Sequence, residues 1–184
     1  MNALACVVVT LINTGLQKYG GDMHVAAYGI DNRIVFFFVM MNMGFNQGMQ
    51  PIAGYNYGAK KYDRVLEVFR YTLYCVVAFG VLGWIACQFL PNAIVSMFST
   101  DVQLNELSSY GLRILTCLLP LIGFQMVCTN LYQSIGKAQI AIFLSTTRQL
   151  LFLIPFLLVL PTYWGTDGIW WSLPMADGLS ALVV

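Results

Sequence analysis

Charge is what this 184-residue chain has least of: nine Lys and Arg and eight Asp and Glu make up 9% of it, against roughly 25% in typical soluble proteins. A surface so poor in charge does not stay dissolved, which excludes an ordinary soluble domain. The net charge of +1 leaves no electrostatic footprint for nucleic acid. Histidine is almost missing. The one present, His24, is read in a short connection beside Asp22, so neither a metal centre nor a His-based catalytic constellation is expected, and no enzyme activity or resident cofactor with it. The five cysteines are an odd number without C-x-x-C spacing, all inside apolar segments, and read as small buried hydrophobes rather than disulfides or metal ligands. The opening "MNALACVVVTLINTGLQ" has no basic leader or small-residue cleavage site, so its apolar run is expected to belong to the body of the protein.

What is present is hydrophobic sequence: 59% of residues, with a mean hydropathy of +0.72, gathered into long runs separated by short polar ones. That is the pattern of an all-α polytopic membrane protein. Crossing hydrocarbon takes about twenty apolar residues, and a six-helix transmembrane bundle is expected, with spans near 3–17, 25–53, 66–90, 103–133, 138–160 and 167–184. The separators carry turn residues, as in "KYGGDMH", "SIGKAQ" and "PTYWGTDG". Asp101 is placed to cap the fourth span, and Ala93 to Phe98 reads as an interfacial turn. Lys60, Lys61 and Arg64 fall in the second connection and Lys137 in the fourth, whereas the third and fifth have no basic residue. The positive-inside rule then puts the even connections and both ends of the bundle on the cytoplasmic side of the plasma membrane. The first run is short for a crossing and the last stops at "SALVV" without a basic flank, so a piece of something larger is expected.

The stretch "GMQPIAGYNYGAKKYDR", Gly48 to Arg64, admits two readings, a phosphate-gripping loop or the wet end of a membrane helix. Its spacing does not fit G-x-x-x-x-G-K-[ST], and the basic residues read as a positive-inside anchor. Gln50, Pro51, Gly54, Tyr55, Asn56, Tyr57, Gly58 and Ala59 resemble the Q-P-x-x-G-Y-N-Y-G-A motif of the multidrug and toxic compound extrusion (MATE) family. The resemblance continues in "AAYGIDNR", "YGLRIL", "NLYQSIGKA", "RQLLFLIPFLLVLP" and "GTDGIWWSLPMAD". It implies one lobe, helices seven to twelve, of a twelve-helix carrier whose two lobes surround a cavity. It also implies export of amphipathic or cationic drugs and toxic compounds in exchange for protons or sodium. The partners implied are the bilayer, an amphipathic small molecule, and a missing N-terminal lobe or second half-transporter. A lipid-linked oligosaccharide flippase of a related family and a truncated, non-functional remnant are the alternatives. The motif itself reads as the tight exit of the second span, or as a gating turn built from the same residues.

Ionisable groups at mid-bilayer are costly and mark functional candidates. Arg148 and Asp177 each lie about ten residues into consecutive antiparallel spans and are expected to pair or share a polar network, fixing helix packing or serving transport. Asn42, Asn46 and Gln50 recur every four residues, with Asp31 and Asn32 near the same face; this stripe either lines a wet cavity or binds helix to helix. Thr10, Asn13, Thr14 and Gln17 form a similar face on the first span. The resemblance implies a cation-binding carboxylate on that helix in sodium-coupled relatives, yet none occurs before Lys18. The coupling carboxylate is then expected either in the absent lobe, as in members that use an aspartate on their first helix, or at Asp31, the nearest local candidate, unless that residue sits near the outer surface and pairs with Arg33. Arg113 reads as deep in the fourth span. Pro120, Pro155 and Pro174 are expected to bend spans, and Phe36 to Phe38, Trp170 and Trp171 to face lipid or its interface.

Overall fold

The computed structural model describes residues 2–183, with side chains from Cys6 to Ala181. The chain is helical almost throughout: α1 (Asn2–Gly20), α2 (Asp22–Gly58), α3 (Tyr62–Phe89), the short α4 (Pro91–Val95), α5 (Val102–Thr116), α6 (Leu119–Ser134) and α7 (Ala138–Thr146). A π-helical turn (Thr147–Leu153) runs into α8 (Ile154–Trp164), and α9 (Thr166–Val183) completes the bundle. These make six long passes, because α5 with α6, and α7 with the π turn and α8, each continue one another.

Contacts between passes give their directions. Along α2 and α5–α6 the numbers rise together: Ser108 meets Ala27, Gly111 meets Asp31, Gly123 meets Asn42 and Gln50 meets Asn130. Those two passes therefore run parallel. Against α6 the numbers of α3 fall, Val76 opposite Gly123 and Gly80 opposite Pro120, so α3 runs the other way. Gly111 touches Trp170 and Gly178 touches Leu118, which sets α9 parallel to α5, while Arg148 opposite Asp177 sets the α7–α8 pass antiparallel to α9. The connections at Lys60 and at Lys137 thus share one end of the bundle, and those at Gly21, Asp101 and Gly165 share the other.

Local chemistry explains where the passes break. Gly21 is the one residue between α1 and α2, with φ 75, a left-handed conformation that glycine adopts without penalty. The Asp101 carboxylate caps α5, accepting from the Gln103 N–H at 3.0 Å, as its position suggested. Pro120 lies in the first turn of α6, where its missing N–H does no harm, and the pass bends there by 46°.

Several expectations are corrected. His24 is in the first turns of α2, its Nδ1 2.7 Å from the Gly20 carbonyl, because one glycine suffices for the turn. Ala93 to Phe98, expected as a turn, is the end of a short helix, α4, running into a turn at 96–98. Cys87 and Cys128 are buried, but Cys6, Cys75 and Cys117 lie on the outer surface, and all five thiols are free. Trp170 is a core residue, 1% exposed, whereas Trp171 lies outside as expected.

The outside of the bundle is apolar, with Phe36, Phe37, Leu82, Phe143, Leu151 and Leu158 all exposed, as lipid requires. Among the described residues, α3 and the run Ala138–Trp164 are individually long and apolar enough to cross a membrane, and α5 with α6 forms a third, bent crossing. In α1 and α2 the polar faces lower the average; Asn42 and Asn46 of α2 turn inward, whereas Thr10, Thr14 and Gln17 of α1 are exposed. The interior has three apolar clusters: α1, α5, α8 and α9 around Trp170; α2, α3 and α6 around Met49 and Val76; and α2 to α5 around Leu112.

The α3–α6 seam supplies a test. A Cβ at Gly123 would stand 2.6 Å from Cγ1 of Val76, a stiff, fully buried side chain, while a Cβ at Gly48 meets nothing within 4 Å. Gly123→Ala is expected to destabilise the detergent-solubilised protein by about 1–3 kcal/mol, and Gly48→Ala to leave it unchanged or stabilise it by up to about 1 kcal/mol. Thermal-aggregation midpoints compare them; equal midpoints would refute the seam.

Candidate functional site

Arg148 and Asp177 meet as their depth in consecutive antiparallel passes suggested. The Arg148 Nε donates to Asp177 Oδ1 at 2.6 Å, with side-chain exposures of 31% and 7%. It is the one ion pair within 4 Å among the described residues. The π turn positions it. Pro155 has no N–H to give, and the Ile154 N–H reaches back five residues to the Gln149 carbonyl. The extra residue resets the facing of the helix by about 100°. The pair forms part of the wall of a small, partly open cavity of about 170 Å³, together with Tyr28, Asn32, Val35 and Met126.

Asp31 lies elsewhere in the same interior, which removes the alternative that it sits near the outer surface beside Arg33. It is fully buried, and neither carboxylate oxygen has a hydrogen-bond partner. Arg33 does not pair with it, because residues two apart on a helix face apart. Gly111 makes the space: a Cβ there would be 2.5 Å from Asp31 Oδ2 and 2.6 Å from the Trp170 ring. Trp170 in turn stacks edge-on against Tyr28, with centroids 6.1 Å apart. A carboxylate enclosed this way needs a proton, a cation or water brought to it.

The polar stripe of α2 goes between helices. Asn42 and Asn46 are buried, the Asn46 amide donating to the Asn42 carbonyl at 2.8 Å, and Gly123 of α6 lies against Asn42. Their side-chain oxygens have no partner. Gln50 donates to Asn130 Oδ1 at 2.8 Å and ties α2 to α6. The interior seam, not an open wall, is where Asn42 and Asn46 stand. Asn13 and Gln17 are the residues on an open polar groove, about 480 Å³, which they line with Thr10, Thr14 and Asp22 between α1 and α2. Arg113 is exposed, its backbone carbonyl accepting from Gln88.

The motif at the end of α2 is not a turn. Gln50, Pro51, Gly54, Tyr55, Asn56 and Gly58 are all helical, Pro51 inside the helix, and only Ala59 falls at the cap, its N–H donating to the Tyr55 carbonyl at 3.0 Å. The chain reverses at Lys60 and Lys61, Lys60 having φ 58. Gly54 is needed for packing, since a Cβ would be 3.1 Å from the Ser134 carbonyl. A gating turn made of these residues is therefore replaced by a helix end pressed against α6. Tyr28 and Gly111, which lie around Asp31, were not singled out from the sequence, and Trp170 was read as facing lipid; the small residue opposite a large aromatic becomes a signal only once their helices are known to touch.

Two outcomes follow from this geometry. Asp177→Asn and Arg148→Gln should each destabilise the protein by about 1–3 kcal/mol, less than the ~3–5 kcal/mol of a fully buried pair because Arg148 is partly exposed. The double variant should lose less than the two summed; strict additivity in thermal melts would mean that the pair does not couple. With the native cysteines replaced, Gln17→Cys should react with a membrane-impermeant maleimide and Asn42→Cys should not, and the reverse pattern would put the open wall on α2.

A profile of the MatE family matches residues 1–159. The multidrug export protein MepA of Staphylococcus aureus (strain MSSA476) is 28% identical over 172 residues, 94% of this chain and 38% of the relative. MepA of Staphylococcus haemolyticus (strain JCSC1435) is 27% identical over 183 residues, 100% of this chain and 40% of the relative. Among solved structures, the MATE multidrug transporter DinF-BH is 38% identical with a TM-score of 0.85, covering 98% of this chain and 41% of that one. An outward-facing multidrug resistance MATE family transporter is 18% identical with a TM-score of 0.89, again over 98% and 41%, and shares the fold. The chain spans about 40% of the length of the relatives it matches. Six helical passes with an apolar exterior and a polar, ion-paired interior, matched by the family profile over most of their length, belong to the MatE family of multi-pass membrane proteins.

Proposed function

We propose that this chain is one lobe of a secondary active antiporter in the plasma membrane, exporting amphipathic and cationic compounds in exchange for protons or sodium. One observation carries the reading: the polar groove between α1 and α2 is open, about 480 Å³, whereas the cavity at the ion pair is about 170 Å³. Sites for drug-sized ligands run to about 300–1,000 Å³. The cavity at the ion pair is too small for such a substrate, and the open groove is walled by this lobe alone. A second six-helix lobe, encoded with this one or separately, supplies the other, and relatives more than twice this length support that arrangement.

In this reading Asn13 and Gln17 are substrate-facing, the Arg148–Asp177 pair sets the inner cavity, and Asp31 takes up the coupling cation. Asn42, Asn46 and Gln50 act by holding α2 to α6. The basic connections at Lys60 and Lys137, at one end of the bundle, face the cytoplasm. A flippase for lipid-linked oligosaccharides fits less well: a pyrophosphate calls for free cations, but Arg148 is already paired and Arg113 lies on the outer surface. Alternating access then works by rocking the two lobes against each other.

Efflux of the fluorescent cation ethidium from efflux-deficient cells tests this. The chain co-expressed with an N-terminal six-helix lobe is expected to extrude the dye, neither half alone should, and Asp31→Asn should abolish the dependence on the ion gradient. Two lobes that insert in the membrane together and extrude nothing would support the remnant reading instead.

A further inference from the structure

The outer face of α3 plays no part in the arrangement above. The helix has 28 residues, about 42 Å at 1.5 Å each, against a hydrocarbon core of about 30 Å. From Tyr71 to Phe89 it contains no Asp, Glu, Lys or Arg, and that part covers about 28 Å. Asp63, Glu67 and Arg70 consequently stand in the headgroup layer, with Tyr71 and Tyr74 at its boundary with hydrocarbon.

These residues share one face, spaced three to four apart, and with Leu66 they line a shallow groove of about 440 Å³. Tyr71 and Tyr74 are 64% and 68% exposed. The opposite face, with Val65, Val68, Phe69 and Val76, packs against α2 and α6. Glu67 and Arg70 are one turn apart, at a spacing that permits an ion pair, yet among the described residues the ion pair within 4 Å is that of Arg148 with Asp177. Two carboxylates and one guanidinium therefore face outward without ionic partners.

We propose that this face seats a phospholipid carrying a primary ammonium outside its phosphate, which is the chemistry of phosphatidylethanolamine. Asp63 and Glu67 accept from the ammonium, and Arg70, one turn deeper, donates to the phosphate oxygens. The Tyr71 and Tyr74 hydroxyls meet the glycerol esters, and the acyl chains follow the exposed Leu82 and Ile85. Reading inward, the order acid, arginine, tyrosine, aliphatic matches the lipid's own order of ammonium, phosphate, glycerol and chain. Within the groove a purely anionic headgroup meets two carboxylates outside Arg70, while Lys60, Lys61 and Arg64 lie at the turn before it. A choline headgroup has a cation but no N–H to donate.

The test incubates the full chain with mixed vesicles of phosphatidylethanolamine, phosphatidylcholine and phosphatidylglycerol in equal parts, extracts it in mild detergent and counts retained lipids by native mass spectrometry. Phosphatidylethanolamine is expected to exceed each of the others about three- to fivefold, the scale of exposed charge contacts. Combined Asp63→Asn and Glu67→Gln should erase that preference, Arg70→Gln should lower retention of all three lipids, and Lys137→Gln should change neither. Equal retention by the unaltered chain overturns the proposal whatever the variants do, as does a preference for phosphatidylglycerol or one that survives the double substitution. So does protection of Tyr74→Cys from a lipid-phase thiol label by a co-expressed second lobe, because a protein would then occupy the face.

Discussion

In hydrocarbon a polar side chain has no water to turn to, and each one that this chain carries into the bilayer must be answered by another part of the bundle. That constraint organises the interior more strongly than apolar packing does, since lipid tails are as apolar as leucine and offer no hydrophobic reason for helices to associate. Small residues where helices cross, such as Gly80 against Pro120 and Gly123 against Val76, let backbones approach closely enough for van der Waals contact to hold them. Polar pairs then choose the register: Gln50 with Asn130 and Arg148 with Asp177 each fix one pass against another. Side-chain oxygens that no partner answers, those of Asp31, Asn42 and Asn46 among them, mark where the lobe is least satisfied by itself.

Depth was the property most legible in the sequence. Counting from the connections put Arg148 and Asp177 near mid-span in neighbouring antiparallel passes, and a contact at that depth needed no further knowledge of the fold. Counting left Asp31 open between an interior position and a surface one beside Arg33; the helix begins at Asp22, so the residue lies more than two turns inside and is buried. The four-residue recurrence of Asn42, Asn46 and Gln50 revealed a common face but not the neighbour that face meets, since periodicity carries no information about the partner helix. Proline and glycine misled in the family motif, where α6 lies close enough to favour Gly54 and the helix tolerates Pro51. The π turn had only Pro155 as a signal, and a proline is equally compatible with a simple kink.

The open groove and the cavity at the ion pair divide the chemistry of the lobe between two surfaces. Thr10, Asn13, Thr14 and Gln17 offer neutral hydrogen-bonding groups on the open side, with the Asp22 carboxylate beside them. Asp31 and Asp177, costly to hold in hydrocarbon, are buried instead. On the proposed reading, substrate contact and ion chemistry then lie on separate faces and influence each other through the helices between them.

Helix α9 is the element that joins the two buried charges. Trp170 closes one side of the space around Asp31, and Asp177 holds Arg148. Seven residues separate them, two helical turns, so both project from nearly the same face of one helix. Interiors packed at crystal-like density transmit displacement rather than absorb it. If Asp31 takes up the coupling cation as proposed, the ion must find room near Trp170, and a displacement passed from that ring to α9 moves the helix either as a rigid rod or about Pro174, which lies inside it between the two positions. A rigid displacement carries Asp177 with it and loads the ion pair directly; bending at Pro174 spares the pair and spends the motion on the outer turns. The 2.6 Å pair is anchored on its other side by a π turn, a geometry that itself converts to α-helix by a one-residue shift. The charged interior therefore has a mechanical partner at each end of the same face of α9, so that occupancy at one carboxylate and the setting of the other are properties of a single helix.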